Sequence, residues 1–130
     1  MNATAELIQA CADWRQWTDL EAAGLHEADW PTVARCQAAK RALQPVLRQL
    51  REKAGGEWRQ QGLGAAEMPP QIRSIVAELI ALEAANHEIL SGQFRAQERR
   101  RAELNLASRN LGRVHRSYGQ HRLVAWQSYS

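Results

Sequence analysis

The residues of this chain that could bind a metal or act as a nucleophile are histidines, cysteines and serines, and their spacing supports neither chemistry. His87, His115 and His121 are not at i, i+4 of one another, and no HExxH pair or paired cysteines accompany them. That leaves no zinc-ligand pattern, and His87-Glu88 reads as part of a solvated face. Cys11 and Cys36 lie far apart with no CxxC partner. In a reducing cytosol they read as two small buried apolar side chains. Ser91-Gly92 lacks the flanking glycine of a nucleophile elbow, and no strand precedes it. The glycines at 55, 56, 62 and 64 sit in connectors and form no phosphate cradle. The expectation is a protein that is not an enzyme, without metal or cofactor.

Charge is unevenly distributed. Residues 1–34 carry six acids against Arg15 alone, whereas residues 91–130 carry eight arginines against Glu98 and Glu103. An acidic first helix and a basic last helix attract one another if packed together, or recruit partners of opposite sign. A basic helix can contact phosphates. However, Arg95, Arg99, Arg100, Arg101, Arg109, Arg113 and Arg116 scatter around the helix, and no helix-turn-helix or base-stacking module is recognisable. Nucleic acid is therefore not the expected partner, and a basic-helix regulator ranks last among the alternatives.

Five tryptophans are many for 130 residues. Tryptophan is favoured both in cores and at interfaces. Trp14 and Trp30 are expected in the core. Trp126 and Tyr129 fall beyond any expected core, which suggests docking onto the protein's own groove or onto another chain.

Good helix formers dominate the composition, and β-branched and aromatic residues are scarce. The class expected is all-α. Leu7, Cys11, Trp14 and Thr18 mark one face of a first helix over about Thr4–Ala23, with Gly24 as its stop. Asp29 caps a second helix, with Pro31 in its first turn. Cys36, Ala39, Leu43, Val46 and Leu50 form its seam to about Ala54. Pro45 should kink it, and Gly55-Gly56 should end or loosen it. Residues 62–70, "GLGAAEMPP", are a linker. A third helix over about Pro70–Tyr118 carries Ile72, Ile75, Leu79, Leu82, Asn86, Ile89, Gln93 and Ala96 at 3-4 spacing. Leu104, Ala107, Leu111, Val114 and Tyr118 resume that spacing one residue out of phase.

These seams predict an elongated three-helix antiparallel bundle, like a coiled-coil hairpin. It forms a single domain over 1–118, followed by a flexible tail over 119–130. Asn86 and Gln93 are polar residues in the seam, which fix register at some expense of stability. Gly92 weakens the helix by roughly 1 kcal/mol relative to alanine. The stretch 82–94 is thus either a register lock or a place where the bundle opens to a partner helix. No secretory signal and no apolar run long enough to cross a membrane is visible, so a cytosolic protein without membrane insertion is expected.

The segment "LEAANHEILSGQFRAQERRRAELNLASRNLGRVHRSYG" resembles the last long helix of flagellar type III export chaperones of the FlgN/FliT type. It shares a leucine-rich lead-in, Asn86 followed by Ile89-Leu90, a long polar continuation with spaced leucines, and a Tyr118-Gly119 stop. The order of two helices, a Gly/Pro linker and a longer third helix is also similar, so the resemblance spans nearly the whole chain. The tryptophan-rich N-terminal half departs from the family pattern. The resemblance implies a cytosolic, cofactor-free protein. It would hold the C-terminal amphipathic helices of hook-associated junction or cap subunits and pass them to the export gate. An imperfect seam there would supply a groove for such a helix. The client-binding residues expected are Leu79, Leu82, Asn86, Ile89, Leu90 and Phe94, with Tyr118, Trp126 and Tyr129 docking the tail over the groove. The alternative is a structural coiled-coil protein that forms a homodimer through its third helix.

Overall fold

The computed structural model describes residues 2–64 and 67–121, the last four as backbone only. These residues form three helices, α1 (Ala3–His26), α2 (Trp30–Gln60) and α3 (Pro70–His121), and no strand. The chain is all-α. Contacts divide it at Leu90 into one unit over Met1–Leu90 and a second starting at Ser91.

The first unit is a three-helix bundle. Glu57 near the end of α2 reaches the start of α1 at Ala3 and Thr4, so these two helices run antiparallel. Arg15 pairs with Glu78, and Asn86 reaches back to Thr18 and Glu21. Residue numbers therefore rise together on α1 and α3, which run parallel. Leu7, Cys11, Ala54, Trp58 and Ile72 form the core, with Leu47, Leu50, Met68 and Leu79 packed against it.

Several local expectations need correction. Gly24 does not stop α1, which continues to His26. A Cβ at Gly24 would lie 3.1 Å from the Val33 side chain and 3.4 Å from the Asp29 carbonyl, so the glycine permits close approach at the turn into α2. Gly55-Gly56 does not end α2, which runs to Gln60. Ala54 and Trp58 are both buried beside the pair, and their packing outweighs the glycines' poor helix propensity. The helix stops instead before Gly62, whose φ of 92° suits only glycine readily.

Trp30 is exposed on the first turn of α2, and Trp58 takes the core position expected for it. Val46 is exposed as well, while Leu47, one residue on, packs against the core. Pro45 lies on the exposed side of a continuous α2. Ion pairs join Arg15 to Asp19 and Glu78, Lys40 to Glu21 and Glu83, and Arg101 to Glu98.

In the second unit every residue from Gln97 to Leu111 is exposed. The seam at Leu104, Leu111 and Val114 has no cover among the described residues. Backbone to His121 continues α3, the side chain of Tyr118 lies outside the described residues, and so do Trp126 and Tyr129.

Burial in the first unit predicts a contrast along one helix. Ile72→Ala should cost ~2–5 kcal/mol through the cavity it leaves. Ile80→Ala, at a position 64 % exposed, should stay within about 0.5 kcal/mol of wild type. Urea unfolding of the two variants checks this.

Candidate functional site: a buried charge hub beside an apolar cleft

Each helix of the first unit places polar residues on its inward face at one level. Thr18 and Glu21 are one turn apart on α1, Lys40 is on α2, and Glu83 and Asn86 are one turn apart on α3. Lys40 Nζ lies 3.0 Å from Glu21 Oε1, 2.6 Å from Glu83 Oε1 and 3.5 Å from the Thr18 hydroxyl. It also sits 5.4 Å from the centre of the Trp14 ring, within cation–π range. Asn86 Nδ2 donates to Glu21 Oε1 at 2.9 Å and to the Thr18 carbonyl at 3.0 Å. Glu83 Oε1 further accepts the Trp14 indole N–H at 3.0 Å, with the Thr18 hydroxyl at the same distance.

Lys40, Glu21 and Asn86 are all buried. A charge removed from water is stable only when paired and hydrogen-bonded, and here each ion has a partner on another helix. Burial pushes the Glu83 carboxyl upward, but the Lys40 hydrogen bond and charge, together with Thr18 and Trp14, outweigh it. The net position is below the ordinary carboxylate value. Both cysteines are buried free thiols. Burial raises them above the usual cysteine value, and the charge of Glu21 adds to this at Cys36.

Two openings flank the hub. An opening of about 440 Å³ with mixed polar and apolar lining lies beside Lys40 and Glu21, bordered by Gln37, Arg41, Gln44, His87 and Leu90. On the other side, an almost wholly apolar cleft of about 350 Å³ runs between the three helices, lined by Leu7, Cys11, Leu47, Ile72, Val76 and Leu79. Met68 and Ile80 edge this cleft, as do the charged side chains of Arg51 and Glu83. Trp14 and Glu83 border both openings.

The residues expected to hold a client fall in different places. Leu79 lines the apolar cleft, whereas Asn86 and Leu90 line the mixed opening. Leu82 and Ile89 are half-buried, and Phe94 is exposed in the second unit. Asn86, the polar residue of the seam, donates to two acceptors supplied by α1, the Thr18 carbonyl and the Glu21 carboxylate. Glu21, Lys40 and Glu83 were missed as a set. Their signal was a charged residue inside each apolar repeat, with Lys40 one turn from Cys36 and Glu83 three residues before Asn86.

Among the described residues no helix is long and apolar enough to cross a membrane. No group of three or more His, Cys, Asp or Glu among them is placed to hold a metal ion. No family model, no curated protein and no solved structure matches the chain.

The hub predicts two responses. Lys40→Ala strands Glu21 without its counter-ion and should cost ~3–5 kcal/mol, read by denaturant unfolding at neutral pH. Glu57, which accepts the Ala3 and Thr4 N–H groups, is held below the ordinary carboxylate value like Glu83. Carboxyls depressed in the folded state contribute stability above their unfolded value, about 4.3 for glutamate. That contribution is lost as pH falls through the lower folded value. Stability should therefore decline from the ordinary carboxylate range downward. The Glu57→Gln/Glu83→Gln variant should show a shallower decline in urea midpoints measured across that range.

Proposed function

We propose that this chain is a cytosolic, cofactor-free helix-binding protein of the export-chaperone type. The observation that carries the proposal is the cleft of the first unit, open at the surface and lined almost entirely by apolar side chains of all three helices. Exposed apolar area concentrated in one concavity favours a partner's apolar groups. An amphipathic helix presents such groups along one edge, at i, i+3, i+4 and i+7. Ile80, 64 % exposed at the cleft edge, offers a contact to a bound helix while contributing little to the bundle. Arg51 on the rim can pair with an acid flanking the client's apolar edge, which helps set its direction.

The client class comes from the resemblance of α3 to flagellar export chaperones. It is the C-terminal amphipathic helix of a hook-associated junction or cap subunit, held unassembled and delivered to the export gate. Among the residues expected to contact it, Leu79 lies in the cleft, and Ile72, Val76 and Ile80 extend that surface along the same helix.

Calorimetry of a junction-protein C-terminal peptide tests this. Wild type should bind, and Ile80→Arg should weaken binding at least tenfold with no change in thermal unfolding. A scrambled peptide of the same composition should not bind. Absence of binding to the junction peptide and to a generic amphipathic helix alike would refute the helix-binding reading. Binding of the generic helix alone would refute the flagellar client.

A further inference from the structure

The second unit poses a different question, independent of the client reading. From Gln97 to Leu111 the helix is exposed on every side. A lone helix in water is marginal, because most helical stability comes from packing an amphipathic face. Such a face is present. Leu104, Ala107, Leu111 and Val114 repeat at 3-4-3 spacing, with both leucines 70 % exposed and Val114 52 % exposed. In a heptad these are successive a and d positions.

The charges around the stripe indicate what covers it. The flanking e and g positions are Arg101, Ser108 and His115 on one side and Glu103, Asn110 and Ser117 on the other. They carry one arginine and one acid, close to neutral overall. Five of the seven arginines between 91 and 121 (Arg95, Arg99, Arg109, Arg113 and Arg116) occupy c and f positions on the far side. An acidic partner seated on the stripe would therefore miss most of the positive charge. A partner with the same neutral flanks meets no repulsion there, and its own arginines also point outward.

We infer that α3 pairs through Leu104, Ala107, Leu111 and Val114 with the same stripe of a second copy of this chain, in antiparallel orientation. Orientation follows from volume and charge. Antiparallel pairing centred on residue 109 sets Ala107 against Leu111 of the second copy, and Leu104 against its Val114. The small Ala107 then faces the larger Leu111, and Leu104 faces the slightly smaller Val114, which suits close packing. Parallel pairing would instead set Ala107 on Ala107 and Leu111 on Leu111, leaving one gap and one crowded layer. It would also bring the seam position Arg100 against its own copy, a like-charge contact.

Sedimentation equilibrium of the full chain is the test. A concentration-dependent species of twice the 14.7 kDa chain mass is expected. Leu104→Glu/Leu111→Glu should raise the dissociation constant at least tenfold while leaving the thermal transition of the first unit in place. A wild type that stays monomeric at every concentration overturns the inference, and so does a dimer that survives the double substitution. Disulfide trapping reads the orientation. Ala107→Cys mixed with Leu111→Cys should cross-link between the two variants, whereas efficient cross-linking of Leu111→Cys with itself overturns the antiparallel arrangement. Cys11 and Cys36 are buried and should add little background.

Discussion

One ammonium group held between two carboxylates governs how the three helices of the first unit meet. Lys40 belongs to α2, Glu21 to α1 and Glu83 to α3. Apolar layers alone tolerate sliding, since a shift of one turn replaces one leucine by another. A buried charge does not tolerate it. Displacing any helix by a turn, about 5.4 Å, would take a carboxylate away from Lys40 and leave an ion without its partner. Asn86 repeats the constraint with neutral chemistry, because its amide bonds both Glu21 and the Thr18 carbonyl. The apolar cleft inherits this precision, since Trp14 and Glu83 belong at once to the hub and to the cleft wall.

The ends of the bundle are fixed by other means. At one end Glu57 accepts the Ala3 N–H at 2.9 Å, while Thr4 donates its hydroxyl to Glu57 and accepts the Trp58 indole N–H at 3.1 Å. These bonds satisfy donors that the first turn of a helix otherwise leaves open, and a carboxylate there also suits the helix dipole. Asn2 caps the same turn through Ala5. At the other end Gly24 lets the turn close against Val33. The hub thus lies between two tethered ends, and register is determined along the whole length of α1.

What was legible in the sequence follows from which forces act locally. The spacing of Leu7, Cys11, Trp14 and Thr18 marked the inward face of α1, and Asp29 and Pro70 marked helix starts, because periodicity and capping are properties of neighbouring residues. Asn86 stood out as an amide in an apolar seam. Lys40, Glu21 and Glu83 did not, because charged residues in a helical repeat are usually solvated, and their pairing spans three separate helices. Gly55-Gly56 misled for a related reason. Its local propensity argues for a break, and only the distant packing of Ala54 and Trp58 overrides it. Trp30, expected in the core, is exposed, while Trp58 is buried; tryptophan suits both core and surface, so residue type alone cannot assign either.

An ion triad with Lys40 and Glu21 buried and Glu83 partly exposed is a costly way to hold a bundle together if stability is all that matters. Apolar side chains of similar volume in place of Lys40, Glu21 and Glu83 could hold it as well or better. What they could not supply is a penalty against neighbouring registers. That distinction matters most where a surface must keep its shape while empty. The cleft between Leu7, Leu47, Ile72 and Val76 is apolar and open, so the hydrophobic effect favours any slide that would close it. The hub at its wall opposes such a slide, because closing the cleft by a change of register would separate Lys40 from its carboxylates. In this reading the charges hold the apolar cleft open, because a register shift that closed it would leave Lys40 without its carboxylates.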